Sequence, residues 1–240
     1  MKPSVTWIIA VLLAIGASRS PALAASPTAI ADGSAYAALI NANVGGPNSL
    51  SAGPIAPASL DCDTKSATST NSVASINLGS ILTTSGTASD MVSSSYTNSV
   101  AVQSVSTIQG VNLLSGIVTA TAVQAESNSV FSGGVASSNA SGSAFANLTV
   151  NGQPISGTPP PNTRISLAGL GVLILNEQIV SHNQAEATNL TVNMIHVRIT
   201  HTNVFGLPVG SNIIVGHAES DIATPPVPVT LDAESYALYA

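Results

Sequence analysis

The stretch Leu190-Thr191-Val192-Asn193-Met194-Ile195-His196-Val197-Arg198-Ile199-Thr200 sets apolar against polar side chains at a period close to two. Successive side chains of a β-strand point to opposite faces, so the pattern predicts a strand with one buried and one wetter face. A helix would need apolar residues at three- and four-residue spacing, and such patterns are scarce in this chain. Outward from this stretch, Ile213 to His217 and Ala144-Phe145-Ala146-Asn147-Leu148-Thr149-Val150 alternate in the same way. Leu170 to Leu175 is nearly all apolar, as expected of a strand buried on both faces. Turn chemistry falls between the runs: Asn151-Gly152, Pro159-Pro160-Pro161-Asn162, His182-Asn183, and Gly206-Leu207-Pro208 with Gly210. Asn151-Gly152 is the strongest hairpin signal, because both residues accept positive φ. Roughly nine to eleven strands follow, which predicts an all-β, two-sheet β-sandwich.

From Ala67 to Val130 small residues dominate, as in Ile117-Val118-Thr119-Ala120-Thr121-Ala122-Val123. Ser72–Ser89 echoes Ser104–Thr121 through Ser72/Ser104, Ile76/Ile108, Leu82/Leu114 and Ala88/Ala120. Two copies fall short of the three or more that a solenoid needs to bury its faces. The echo therefore predicts a duplicated pair of long strands within one sandwich, with a β-solenoid as the second choice.

The N-terminus combines Met1-Lys2-Pro3, an apolar run from Trp7 to Ala17, and Ala22-Leu23-Ala24 before Ala25. These are the three parts of a secretory signal. The apolar run is shorter than the roughly 20 residues of a membrane span. Residues 1–24 thus read as a cleaved signal peptide and 25–222 as a single all-β extracellular domain. Residues 223–240, with Pro225-Pro226-Val227-Pro228, read as a Pro-rich linker and tail. No membrane span is expected after cleavage.

Without that signal the chain keeps eleven acids and only Lys65, Arg164 and Arg198 as strong cations, a net charge of about −8. So few cations cannot neutralise a phosphate backbone, so no nucleic-acid partner is expected. Charged residues are 7% and hydrophobic residues 45% of the chain, the opposite of a disordered composition. The core must come from Val, Ile, Leu and Ala, with Phe131, Phe145 and Phe205 as its few large pieces. One cysteine, Cys62, allows no internal disulfide. Asp61 and Asp63 beside it make it a poor nucleophile.

Several segments together resemble the choice-of-anchor P family of bacterial secreted and surface proteins. They include Gly110-Val111-Asn112-Leu113-Leu114-Ser115-Gly116, Ala146-Asn147-Leu148-Thr149-Val150-Asn151-Gly152 and Pro161-Asn162-Thr163-Arg164-Ile165. The best are Leu175-Asn176-Glu177-Gln178, Leu190 to Val197, and Ile214-Val215-Gly216-His217-Ala218-Glu219-Ser220. The resemblance spans roughly Ala67 to Asp221 and implies a secreted or surface-held domain with no assigned catalytic residues. No Leu-Pro-x-Thr-Gly sorting motif and no apolar segment with a basic tail is present, so release from the cell is expected over attachment.

One constellation invites geometry. If Leu190–Thr200 and Ile213–Glu219 form a hairpin centred near residue 206, His196 and His217 stand nearly opposite. Glu219 then shares their face, and two imidazoles with a carboxylate are a zinc ligand set. The competing expectation is that both histidines pack at a strand surface, hydrogen-bonded to Asn, Thr or backbone. A slip of one residue in register would part them. Asp61-x-Asp63 opens like a calcium loop, but Lys65 takes the next ligand position. Glu219-x-Asp221 reads as half of a carboxylate pair with Glu177, or as a solvated strand end. No Gly-x-Ser-x-Gly elbow frames a serine, and Gly169-Leu170-Gly171 lacks a third glycine.

The leading expectation is a non-enzymatic secreted or cell-surface structural or interaction domain, without cofactor, meeting an unknown extracellular partner or envelope component. A carbohydrate-binding or adhesive module is the first alternative. It would gain from Tyr36 and Tyr96 exposed on one flat face. An exported metal-dependent hydrolase centred on His196, His217 and Glu219 is the second.

Overall fold

The computed structural model describes residues 29–42, 50–97 and 99–224. The expected signal peptide, 1–24, lies outside them, as does the expected tail 223–240 from residue 225 onward; Ala223 instead ends the last strand. Among the described residues there are sixteen strands and no helix. They are β1 (Ile30–Ala42), β2 (Leu50–Ile55), β3 (Ala58–Asp63), β4 (Ala67–Val73), β5 (Leu82–Thr84), β6 (Ala88–Tyr96), β7 (Val100–Leu113) and β8 (Val118–Ser132). Then follow β9 (Val135–Asn139), β10 (Ala144–Ala146), β11 (Thr149–Val150), β12 (Gln153–Pro154), β13 (Thr163–Leu167), β14 (Gly171–Gln184), β15 (Ala187–Ile199) and β16 (Asn212–Ala223).

Two antiparallel sheets face each other, as the alternation predicts. The seven-stranded sheet runs β13-β14-β15-β16-β1-β2, with β3 also on β1. The nine-stranded sheet runs β12-β11-β8-β7-β6-β4, with β9 and β10 also on β8 and β5 on β7. Sixteen strands exceed the nine to eleven expected because short pieces share one row. β9, β10 and β11 succeed one another along β8, and β2 and β3 divide one edge of β1. The antiparallel pairing leaves no solenoid. Of the echoed segments only the second is a long-strand hairpin, β7 with β8; the first breaks into β4, β5 and the start of β6.

Local chemistry explains the details. Asn151 and Gly152 turn between β11 and β12 with φ of 51° and 76°, the two positive values of a tight hairpin turn. Leu173, Ile174 and Leu175 are all buried, as an all-apolar run requires.

The core is two clusters. The large one gathers Ile40, Leu82, Ile108, Leu113, Leu173, Leu175, Val192, Met194 and Val215 with their neighbours. The small one holds Ala29, Ala31, Ala35, Ala58, Val92, Val102 and Ile222. A polar layer lies between them, made of inward side chains at intermediate positions on the same strands. Its members Asp90, Ser104, Ser106, Ser127, Ser129 and Ser220 are all fully buried. The serines tie sheet to sheet: Ser104 Oγ donates to Glu219 O at 2.6 Å, Ser106 Oγ to Tyr36 O at 3.1 Å and Ser127 Oγ to Leu190 O at 2.7 Å.

Candidate functional site

The outer face of the seven-stranded sheet carries most of the titratable groups. A change of phase in the alternation sets it up. Ala37 and Ala38, Met194 and Ile195, and Val215 and Gly216 are each buried side by side. At this level the ladder passes from Ile195–Val215 directly to Asn193–His217, with Gly216 at φ 73° and Asn176 at φ 50°. No residue is inserted, for the register is the same on both sides of the break, yet the side-chain phase flips at this one row. Beyond it His217, Glu219 and Asp221 turn outward instead of into the core.

These residues form a grid. Asn193, Thr191 and Asn189 of β15 oppose His217, Glu219 and Asp221 of β16. Tyr36, Ser34 and Asp32 of β1 oppose the same three from the other side. Glu177 of β14 opposes Asn193 and extends the first row.

The expected juxtaposition of His196 with His217 fails. The pair is centred near residue 205, so His196 faces Ile214 and His217 faces Asn193. Both histidines do share the outer face, but through intermediaries. His196 Nδ1 lies 2.7 Å from Glu177 Oε2, Asn193 Nδ2 donates to the same oxygen at 2.9 Å, and Asn193 Oδ1 meets His217 Nδ1 at 2.7 Å. Both Nδ1 atoms are thereby engaged. Glu219 Oε2 stands 3.8 Å from His217 Nε2 and has no contact with His196. Among the described residues no three His, Cys, Asp or Glu side chains are grouped to hold a metal ion. The ligand set His196, His217 and Glu219 is thus replaced by a hydrogen-bonded network.

Glu177 is the hub, and sequence reasoning gave it only a minor part. Arg198 Nη2 reaches its second oxygen at 3.2 Å. Burial alone would raise its carboxyl, but hydrogen bonds from His196 and Asn193, with the charges of His196 and Arg198, hold it down at about 2. The second ring nitrogen of His196 faces Asn212 Oδ1 at 3.1 Å. His217, 6% exposed, is pushed down to about 4 by burial and is therefore neutral near pH 7. Tyr36 stacks on its ring at 4.1 Å between centroids, and Ser34 Oγ lies 3.5 Å from its Nε2. Burial, and then Glu219, push the Tyr36 phenol up to about 12.

The remaining acids crowd the last row. Asn189 Nδ2 donates to Glu219 Oε1 at 2.8 Å and to Asp221 Oδ2 at 3.4 Å. Burial raises Asp32, partly offset by the Cys62 N–H, with Asp61, Asp221 and Glu219 adding to the rise. Cys62 is exposed, as expected of a loop-like thiol, although it lies within β3. Tyr36 and Tyr96 do not share a flat face: Tyr36 packs on His217, while the Tyr96 hydroxyl accepts from Ala31 N at 2.8 Å on a strand of the other sheet.

Comparison with protein-family models, with curated proteins and with solved structures finds no match for this chain.

Proposed function

We propose that this chain is an exported, non-enzymatic structural or interaction domain that works outside the cytoplasm against an envelope component or another extracellular partner. One observation carries the reading: the outer face of the nine-stranded sheet is broad and nearly uncharged, with polar rows on either side of Met91 and Val105. Thr68, Ser93, Gln103, Asn128 and Asn139 oppose one another across five strands. Ser72, Ser89, Thr107 and Gln124 form a parallel row. Between the rows Glu126 accepts from Gln103 at 2.8 Å, Asn128 at 3.0 Å and Gln124 at 3.3 Å, so its charge is held by amides of the same face. Beyond these rows, Thr83, Asn112, Thr119, Thr121 and Asn147 help to line a hollow of about 390 Å³. Such a face offers many hydrogen bonds and little charge, which suits contact with neutral polar surfaces.

The N-terminal signal pattern and the resemblance to choice-of-anchor P proteins support export. Fractionation of cells expressing the full chain tests it. Mature protein beginning at Ala25 in the medium or envelope is expected; protein still beginning at Met1 in the cytosol overturns the reading. For the contact face, the Ser93→Lys/Thr107→Lys double variant should lose at least about tenfold in retention on isolated envelope, because buried unpaired charge is costly at an interface. Unchanged retention would remove this face from the proposal.

A further inference from the structure

The order of atoms around His217 is that of an activated hydroxyl. Asn193 Nδ2 donates to Glu177 Oε2 at 2.9 Å, and a carboxylate held ionised can only accept. This fixes the Asn193 amide with Oδ1 toward His217, so Nδ1 of His217 must carry the hydrogen of their 2.7 Å contact. A neutral ring then has its lone pair on Nε2, the atom that faces Ser34 Oγ at 3.5 Å. Nucleophile, base and base-orienting amide thus stand in sequence, as in serine and cysteine acyl-transfer centres. Glu177 is itself gripped by His196 and Arg198, which makes the orienting end rigid. Ser34 is half-buried on the open face of β1, whereas His217 is almost wholly enclosed.

We propose that Ser34 is an acylation site, its hydroxyl taking an acyl group from an activated ester or thioester with His217 as the base. Ser34 Oγ attacks the carbonyl carbon, and its proton passes to His217 Nε2. The tetrahedral intermediate then breaks its bond to the leaving group, which departs as an alcohol or thiol carrying the proton from Nε2. The ring returns to its neutral state and Ser34 remains as an ester. Glu219, 3.8 Å from Nε2, favours the imidazolium that forms in between. Asn193 and Glu177 are positioning residues. Once Ser34 is acylated, the enclosed ring is poorly placed to activate a second water, so the ester persists. The proposal is independent of the export reading, and a site that is acylated once is compatible with a non-enzymatic domain.

The probe is p-nitrophenyl acetate, with an alkyl fluorophosphonate as a second reagent, on the full chain. Peptide mapping by mass spectrometry should find one acetyl group at Ser34, released with one p-nitrophenolate per chain. Ser34→Ala should remove that label, and His217→Gln should slow it on the order of 100-fold, the usual contribution of a positioned base. Asn193→Ala should slow it too, and the Asn193→Asp/Glu177→Gln pair, which keeps an acceptor for Nδ1 and restores a donor between the two side chains, should recover it; a merely structural role would not produce that order. The rate should hold from pH 7 to about 5 and fall as the ring protonates near 4. Groups facing the ring are Tyr36 and Ser34 from β1, Glu219 on β16, and Asn193 on β15 backed by Glu177 of β14, with Asp32 and Asp221 in the outer row. Labelling spread over other hydroxyls, or equal in wild type and folded His217→Gln, overturns the proposal. Steady turnover that requires Ser34 would uphold the reactive hydroxyl and overturn the non-enzymatic reading instead.

Discussion

Asp90 has no exposed surface, and neither of its carboxylate oxygens has a hydrogen-bond partner among the described residues. The Ser106 hydroxyl, which donates to Tyr36 O, and the Ala37 N–H pull its carboxyl down against that burial. Burial wins and pushes Asp90 up to about 7. The unfolded chain ionises this group near 3.8, so its neutral form supports folding fully below that pH, and the support is lost as pH rises through about 7. His217 works the other way. Its folded value near 4 lies below the ordinary 6.5, so the native state is fully favoured above 6.5 and loses ground as pH falls through 4. Between about pH 4 and 6.5 the two slopes oppose each other at about 1.4 kcal/mol per unit each. Urea denaturation from pH 4 to 8 should therefore show Asp90→Asn gaining stability over wild type with rising pH, by up to about 4 kcal/mol at pH 8. His217→Gln should gain as pH falls. Parallel curves for wild type and both variants would mean that neither group is buried as described. Glu177 is depressed, so its support is present above 4.5 and vanishes only as pH falls through about 2. At pH 6, Glu177→Gln should lose about 3 kcal/mol, because His196 and Arg198 are left without their carboxylate.

Within single strands, the alternation was legible and its interruption was not. Leu190–Thr200 gave a strand, Leu170–Leu175 a doubly buried one, and Asn151-Gly152 a hairpin, because each depends on local periodicity or backbone freedom. The histidine pairing depended on where the β15–β16 ladder is anchored, and a displacement of three residues separated His196 from His217. The adjacent apolar pair Met194-Ile195 was the available sign of a phase change, but only the aligned Gly216 and Ala37-Ala38 turn it into a flip across strands. Gly216 should therefore resist substitution more than a glycine in an open turn. An added Cβ there meets Val123 Cγ1 at 3.1 Å on a backbone at φ 73°, whereas Gly116 at φ 93° meets nothing within 4 Å. Gly216→Ala should cost the roughly 1–2 kcal/mol of a left-handed non-glycine residue plus the contact. Gly116→Ala should cost the conformational part alone. Equal losses in thermal melts would count against the left-handed Gly216 as the device that aims His217.

Across both sheets the same small-residue composition that lowers hydrophobic burial permits close approach. A Cβ on Gly33 would stand 2.7 Å from Ser104 Oγ and 2.8 Å from Val92 Cγ1. The serine layer beside it was hidden from hydropathy, since Ser127 and Ser129 occupy the same inward phase of β8 as Val123 and Ala125. It also divides the molecule energetically. The small cluster beyond the layer is mostly alanine, with only Val92, Val102 and Ile222 as larger fully buried side chains. Hydrophobic stabilisation scales with apolar area, so this end is held more weakly than the cluster around Leu173, Met194 and Val215. Segments that bury little apolar area open by local unfolding below the global free energy. Native-state hydrogen exchange should accordingly find amides of Ile30–Ser34 and Ser220–Ala223 opening several kcal/mol below those of Val192–Val197 and Ile213–Val215. Ile222→Ala should deepen that gap, lowering the first group by about 2–4 kcal/mol while the second moves less. A uniform shift of both groups would instead mean that the hydrogen bonds from Ser104, Ser106 and Ser127 to the opposite backbone weld the two clusters into one cooperative unit.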